Sequence, residues 1–182
     1  MVCYNESSFV DLMAFCKEMW THIDRAAAAD LYKWFPFAQP AFRNLPIDFV
    51  ARGNRAETDR LMNTMVGHVQ RGERVSWGGE GRLSGIDGIL RFKVGASLIA
   101  IRAGAPIVPV AFFGGHHAMP LGRLRARPGQ ISIRFGAPIP TDGMTEDDAR
   151  DLADRVHREV SRLYEELRDV RARSRAHEGH AP

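Results

Sequence analysis

Two short segments carry the side chains best suited to chemistry. Asn5-Glu6-Ser7-Ser8-Phe9-Val10-Asp11 holds two carboxylates and two hydroxyls near the start of the chain. Taken alone, this segment is typical of a polar helix cap. Glu80-Gly81-Arg82-Leu83-Ser84 follows a pair of glycines. Because Gly81 allows close backbone approach and Arg82 offers a planar guanidinium to phosphate oxygens, the second segment predicts contact with a phosphate group.

Positive charge is concentrated in the middle of the chain. The formal net charge of the whole protein is only +3, yet residues 81–135 contain eight basic side chains and one acid, Asp87, and so carry +7. The basic side chains are Arg82, Arg91, Lys93, Arg102, Arg123, Arg125, Arg127 and Arg134. Such asymmetry indicates an anionic partner: a phosphate-bearing substrate, an acidic membrane surface or nucleic acid. A solvated basic face is the alternative.

Composition narrows the class of protein. A chain of 182 residues predicts one hydrophobic core, and 45% hydrophobic with 26% charged residues argues against disordered, collagenous and coiled-coil classes. The two cysteines, Cys3 and Cys16, cannot form a disulfide scaffold, which favours a reducing compartment. The longest apolar runs are far shorter than the ~20 residues of a membrane-spanning helix. Polar and charged residues also interrupt the first 17 positions, which argues against a signal peptide.

Alternating helical and strand patterns must position the two segments. Apolar residues at helical spacing predict helices over residues 9–20, 58–70 and 94–103, and a long final helix after Thr145. Short apolar or alternating runs predict strands at residues 47–50, 74–77, 107–113 and 131–135. This order favours an α/β fold with a mixed, mostly parallel central sheet flanked by helices. We expect one domain over residues 1–170 and a polar, flexible tail over residues 171–182.

Four segments, in one order and spacing, carry a resemblance to a known family. Besides the two above, they are Ile47-Asp48-Phe49-Val50-Ala51-Arg52 and Ala105-Pro106-Ile107-Val108-Pro109-Val110-Ala111. Together they resemble the motifs of the phospholipid/glycerol acyltransferase family, which includes the 1-acylglycerol-3-phosphate acyltransferases. Phe92-Lys93-Val94-Gly95-Ala96 keeps the family's usual distance from Glu80, and the similarity extends over roughly residues 3–140.

The resemblance implies a glycerolipid acyltransferase fold and an O-acyltransferase. Its reaction would move a fatty acyl group from acyl-CoA or acyl-carrier protein to a lysophospholipid or glycerol-phosphate acceptor. In the family a histidine is the base and an aspartate orients it. Glu6 stands at the histidine position and Asp11 at the aspartate position, so the resemblance implies that both are catalytic. It implies substrate contacts for Arg52, Glu80, Gly81, Arg82, Ser84 and Pro109.

The chain departs from the family pattern in its first and third motifs. A carboxylate at position 6, with an ordinary pKa of about 4.3, is a weak base at pH 7 and has no orientable N–H. Burial beside Asp11 would raise that pKa and let Glu6 accept a proton. Arg82 and Leu83 stand where the family has threonine and arginine, and Gly79 replaces a proline. A catalytically inactive domain that binds lipid or acyl-CoA is therefore the alternative function.

The resemblance also implies partners and a location. The acyl donor and the lysophospholipid are substrates, and we expect no cofactor and no metal. Nucleic acid is not an expected partner, because the chain shows neither an aromatic-interleaved basic strand nor a helix-turn-helix pattern. Family members usually have a membrane-associating helical region before the first motif, so we expect a truncated N-terminus. The expected location is cytoplasmic, with peripheral contact at the inner membrane face.

One further pair of side chains, His116-His117, follows the strand predicted at residues 107–113. The pair could line a site. Adjacent residues on extended backbone point to opposite faces, so a shared metal is not expected and the histidines are interpreted as loop residues.

Overall fold

A six-stranded sheet lies at the centre of the computed structural model, which describes residues 1–29, 46–50, 53–123 and 125–178. The strands are β1 (Val2–Tyr4), β2 (Arg25–Ala29), β3 (Ile47–Val50), β4 (Val75–Gly78), β5 (Val108–Phe113) and β6 (Ser132–Phe135). Their order across the sheet is β3-β2-β4-β1-β5-β6. The first five are parallel, and β6 runs antiparallel to β5. The short strand β1 is therefore central, between β4 and β5.

Five α-helices lie among the described residues, and the first two begin at side-chain caps. They are α1 (Phe9–Glu18), α2 (Arg55–Gln70), α3 (Gly95–Ala103), the short α4 (Gly115–Ala118) and α5 (Ala149–Glu178). Helix α1 begins after Ser8, which forms a capping box with Asp11. Helix α2 begins after Asn54, whose side chain accepts a hydrogen bond from the first turn.

Helices cover both faces of the sheet. Helices α2, α3 and α5 pack on one face, where Met65 and Ile99 belong to the larger buried cluster. Helix α1 packs on the other face through a cluster of aromatic rings. There the ring of Tyr4 lies 5.0 Å from that of Phe15 and 5.8 Å from that of Phe112, between centroids. The strands that carry the two polar segments are thus held rigidly from both sides.

The predicted α/β class, with a mostly parallel sheet flanked by helices, is confirmed. The final helix differs from the prediction, because α5 continues through Glu178 and residues 171–178 are helical. Arginine, alanine and glutamate favour helix in this stretch, and Arg171 donates a hydrogen bond of 2.9 Å to the side chain of Gln130. Residues 179–182 of the predicted tail lie outside the described residues.

Within the described parts of the chain, no helix combines the length and the apolar character needed to cross a bilayer.

Candidate active site

The two polar segments meet at one edge of the sheet because their strands are parallel neighbours. Tyr4 ends β1 and pairs in register with Gly78, which ends β4. The N–H of Gly79 then donates to the carbonyl of Tyr4 at 2.8 Å. Segments that follow the carboxyl ends of adjacent parallel strands form the usual ligand-binding crevice of an open α/β sheet. We call this region the carboxyl edge.

Asn5 fastens the first segment to the neighbouring strand. Its side chain donates a hydrogen bond to the carbonyl of Phe112 at 3.0 Å and accepts one from the N–H of the same residue at 2.9 Å. The asparagine is completely buried. Both of its polar atoms are therefore used in holding the backbone, so Asn5 is a structural residue of the site.

Asp11 is buried at the first turn of α1, with 1% of its surface exposed. Its Oδ2 accepts hydrogen bonds from the Ser7 N–H at 2.8 Å, the Ser7 hydroxyl at 2.7 Å and the Ser8 N–H at 3.0 Å. Its Oδ1 is buried and receives no hydrogen bond from the described residues. Burial raises the pKa of Asp11, although the Ser7 and Ser8 donors oppose that rise.

The unpaired oxygen of Asp11 faces helix α4. A β-carbon at Gly115 would overlap Oδ1, so glycine is required for this close approach. The next residue, His116, lies close enough that a positive charge on its ring lowers the pKa of Asp11. Its Nδ1 is also buried without a partner among the described residues. The histidines predicted as loop residues thus lie in a short helix, and His116 adjoins the candidate catalytic carboxylate.

Glu80 is a buried carboxylate that holds two backbone segments at the carboxyl edge. It is 3% exposed; its Oε1 accepts from the N–H of Glu6 at 3.1 Å and its Oε2 from the N–H of Leu90 at 2.9 Å. Burial, reinforced by the negative charges of Glu6 and Asp11, raises its pKa to about 7. Glu80, which the sequence predicts to contact substrate, thus uses both carboxylate oxygens to hold the backbone of the neighbouring segments.

The loop after Glu80 lies directly on the first segment. The N–H of Ser84 donates to the carbonyl of Glu6 at 2.8 Å, and the N–H of Gly85 donates to the carbonyl of Ser7 at 3.2 Å. Ser84 is thereby held beside Glu6, and its hydroxyl lies 3.5 Å from the N–H of Ile86. The two polar segments consequently form one hydrogen-bonded unit.

A cavity of about 530 Å³ opens at the carboxyl edge between α1 and α2. Glu6, Gly81 and Arg82 line it, and Arg55 and Lys93 add two further cations. The apolar part of its wall includes Leu12, Phe15, Met62, Trp77 and Leu98. Such a cavity combines room for an aliphatic chain with positive charge for an anionic group.

Gly81 permits the arrangement of the cations in this cavity. Its φ is +66°, and a β-carbon there would lie 3.2 Å from the Lys93 ammonium nitrogen. A larger residue would be strained and would displace the lysine. Lys93 was not among the predicted site residues; its place in the cavity depends on the turn at Gly81, which residue spacing alone does not reveal.

Three of the eight predicted site residues, Glu6, Gly81 and Arg82, are among the described residues that line the cavity. Asp11, Glu80 and Ser84 lie in the adjoining segments, held by the hydrogen bonds given above. Pro109 is buried in β5, and its carbonyl accepts a 2.8 Å hydrogen bond from Gly136, so it packs on the face that α5 covers. It is absent from the described residues that line the cavity. Arg52 lies outside the described residues. Within the parts of the chain that the structure describes, no group of three His, Cys, Asp or Glu side chains is placed to hold a metal ion.

Comparisons with known proteins place this chain among acyltransferases. The family model described as Acyltransferase matches residues 4–113. The 1-acyl-sn-glycerol-3-phosphate acyltransferase of Haemophilus influenzae is 30% identical over 139 residues, which are 74% of this chain and 57% of that protein. The enzyme of that name from Salmonella typhimurium is 32% identical over 124 residues, or 66% of this chain and 49% of that protein.

A solved structure is similar over almost the whole chain. It is the crystal structure of the 1-acyl-sn-glycerophosphate (LPA) acyltransferase, PlsC, from Thermotoga maritima, with a TM-score of 0.72 and 26% sequence identity. The match covers 92% of this chain and 65% of that chain. This chain thus matches less than two thirds of the length of each of these three relatives.

Proposed function

This chain belongs to the Acyltransferase family, and on that premise we propose that it acylates the hydroxyl of a lysophosphatidic-acid-type acceptor in phospholipid synthesis. The acyl donor is a thioester, acyl-CoA or acyl-carrier protein. One observation carries the proposal: the segments that contain Glu6 and Arg82 join at one edge beside a largely apolar, cation-bearing cavity. The names of the relatives support the same acceptor class.

The proposed reaction is a direct transfer without a covalent enzyme intermediate. The acceptor hydroxyl attacks the thioester carbonyl, its proton passes to a base, and the tetrahedral intermediate collapses with loss of the thiolate, which takes up a proton. Glu6 is the proposed base, because its side chain lines the cavity. Asp11 holds the Glu6–Ser8 turn in place through its three hydrogen bonds.

The acceptor phosphate and an acyl chain are proposed to bind in two different parts of the cavity. Arg82 and Lys93 are proposed to bind the acceptor phosphate, since a guanidinium and an ammonium group both pair with phosphate oxygens. The apolar wall that includes Phe15 and Met62 is proposed to receive an acyl chain. Because the proposed acceptor is a membrane lipid, we infer that the protein acts at the periphery of the inner membrane face, on the cytoplasmic side.

A second candidate function is a binding domain without transferase activity. The observation that favours it is the carboxylate at position 6, which lacks the N–H through which an imidazole is held by its partner acid. Such a domain would bind acyl-CoA or lysophosphatidic acid through the same cavity, and Arg82→Ala would weaken that binding in the absence of turnover.

Transfer of a radiolabelled acyl group from acyl-CoA, or from acyl-carrier protein, to lysophosphatidic acid tests the proposal. We expect Glu6→Gln to lower kcat by 10²–10⁴ because it removes the proton acceptor, as general bases typically contribute that factor. Glu6→His should raise turnover above that of the wild type. The exposed Glu57→Gln is the matched control and should leave the rate unchanged.

Two outcomes separate the candidates. Transfer by the wild type that disappears in Glu6→Gln supports the enzyme. Folded wild-type and Glu6→His proteins that bind acyl-CoA but transfer nothing from either donor refute it and support the binding domain.

A further inference from the structure

The basic segment over residues 81–135 divides into three groups in the folded protein. Three arginines pair with acids from other parts of the chain: Arg91 with Asp154 at 3.3 Å, Arg102 with Glu146 at 2.9 Å and Arg134 with Glu166 at 2.8 Å. Arg82 and Lys93 line the cavity. These five side chains need no further anionic partner to explain them.

The remaining group is Arg123, Arg125 and Arg127. All three are exposed, and none forms an ion pair within the parts of the chain that the structure describes. Residues 119–130 contain no acid that could neutralise them. Apart from Leu124, which lies outside the described residues, residues 121–130 are exposed. We call residues 119–130 the arginine loop. Its three arginines carry the part of the segment's positive charge that is neither paired with an acid of the described residues nor located in the cavity.

The arginine loop is attached to the carboxyl edge. The hydroxyl of Ser8 donates to the carbonyl of Met119 at 2.6 Å. The side chain of Leu121 packs against Gly85, 3.1 Å from where a β-carbon would stand. Gly85 in turn donates to the carbonyl of Ser7. The loop is therefore fixed to the turn that carries Glu6.

Exposed aliphatic side chains accompany the arginines. Leu121 is 46% exposed, and Ile86, next to Gly85, is 45% exposed. Aliphatic side chains flanked by unpaired cations suit the boundary between lipid headgroups and acyl chains. The arginine loop has no aromatic residue on which a base could stack, which disfavours single-stranded nucleic acid.

We propose that the arginine loop, with Ile86, docks the carboxyl edge on the anionic surface of a phospholipid bilayer. The inference deepens the proposed function and rests on it in one respect: a lysophospholipid acceptor would reach the cavity from the surface on which the protein sits. Near an anionic bilayer each arginine adds about fivefold in affinity, so the three together supply about a hundredfold, and salt weakens the effect.

Vesicle co-sedimentation of the full chain tests the docking surface. The probes are vesicles of phosphatidylcholine alone and of phosphatidylcholine mixed with phosphatidylglycerol. We expect binding to the mixed vesicles, a loss of at least about a hundredfold in R123E/R125E/R127E, and a smaller loss in Leu121→Ser. The matched control is R60E/R155E/R158E, which makes the same charge change at exposed arginines outside the loop and should keep more of the affinity.

Each other outcome overturns the inference. Equal losses in the loop and control variants would show that only net charge matters, and equal binding to both kinds of vesicle would exclude anionic lipid as the partner. Tighter binding to a single-stranded oligonucleotide than to vesicles would identify nucleic acid instead. If the loop variant misfolds by circular dichroism, R123Q/R125Q/R127Q decides in its place. Vesicle binding is measured without acyl transfer, so a protein that docks but never transfers refutes the proposed function alone.

Discussion

The buried carboxyl of Glu80 should make the stability of this protein depend on pH in an unusual direction. Its pKa is raised from an ordinary 4.5 to about 7 in the folded state. Between those values the folded protein binds a proton that the unfolded chain releases, so stability falls as the pH rises. The contribution is fully present below pH 4.5 and is lost as the pH rises through about 7.

The size of the effect follows from the two pKa values. Each unit of pKa difference corresponds to about 1.4 kcal/mol, so ionised Glu80 lowers the free energy of unfolding by about 3 kcal/mol, of which about 2–3 kcal/mol is lost between pH 5 and pH 8. Glu80→Gln cannot ionise and removes this dependence. In this variant an amide N–H₂ faces one of the two backbone N–H groups from which Glu80 accepts hydrogen bonds, so one of these bonds is lost. That loss lowers the free energy of unfolding by about 1–3 kcal/mol at every pH.

Urea unfolding followed by circular dichroism at pH 5, 6, 7 and 8 measures both effects. We expect Glu80→Gln to be less stable than the wild type at pH 5, with the difference shrinking or reversing by pH 8. Asp11 also has a raised pKa, so the wild-type slope alone is insufficient and the difference between the two proteins is the relevant quantity. The exposed Glu57→Gln should follow the wild type. If the free energies of unfolding of Glu80→Gln and the wild type differed by a constant amount across this range, Glu80 would not have a raised pKa in the folded state.

Two further predictions concern close approach and phosphate binding. Gly115→Ala should abolish most activity and destabilise the fold by about 1–3 kcal/mol, since its β-carbon overlaps a buried carboxylate oxygen. Gly129→Ala is the control, because the nearest atom to its new β-carbon lies 3.7 Å away, and its thermal unfolding should match that of the wild type. If the two glycine substitutions destabilised the protein equally, the packing argument would be contradicted. Arg82→Ala should raise KM for lysophosphatidic acid about 10–100-fold with a smaller change in kcat, as expected for loss of a charged hydrogen bond. Arg60→Ala, an exposed arginine of α2, should leave steady-state kinetics intact, and a KM unaffected by Arg82→Ala would exclude its phosphate contact.

The sequence predicts the fold class, but its periodicity does not reveal strands β1 and β2. Strand β1 has only three residues, too few for any periodicity, yet it occupies the centre of the sheet. Strand β2 contains four consecutive alanines, which favour helix in isolation. It is extended because backbone pairing with β3 on one side and β4 on the other outweighs that local preference.

The motifs predict which segments meet at the site but not what each side chain does there. Glu6 and Arg82 share the cavity as expected, because parallel strands end at the same edge. The partners of Glu80 are backbone groups at positions 6 and 90, and no pattern in the sequence connects them. His116 beside Asp11 depends on the sharp turn into α4 at Gly114, whose φ of +109° only the structure reveals.

Formation of phosphatidic acid from lysophosphatidic acid and radiolabelled acyl-CoA is the most direct test of acyl transfer at the carboxyl edge. The wild type should form product, and Asp11→Ala should lose most of that rate, because it removes the oxygen that accepts the three hydrogen bonds that hold the Glu6–Ser8 turn. A correctly folded wild type that forms no phosphatidic acid from acyl-CoA or acyl-carrier protein, or a folded Asp11→Ala variant that keeps the full rate, would contradict the proposed catalysis.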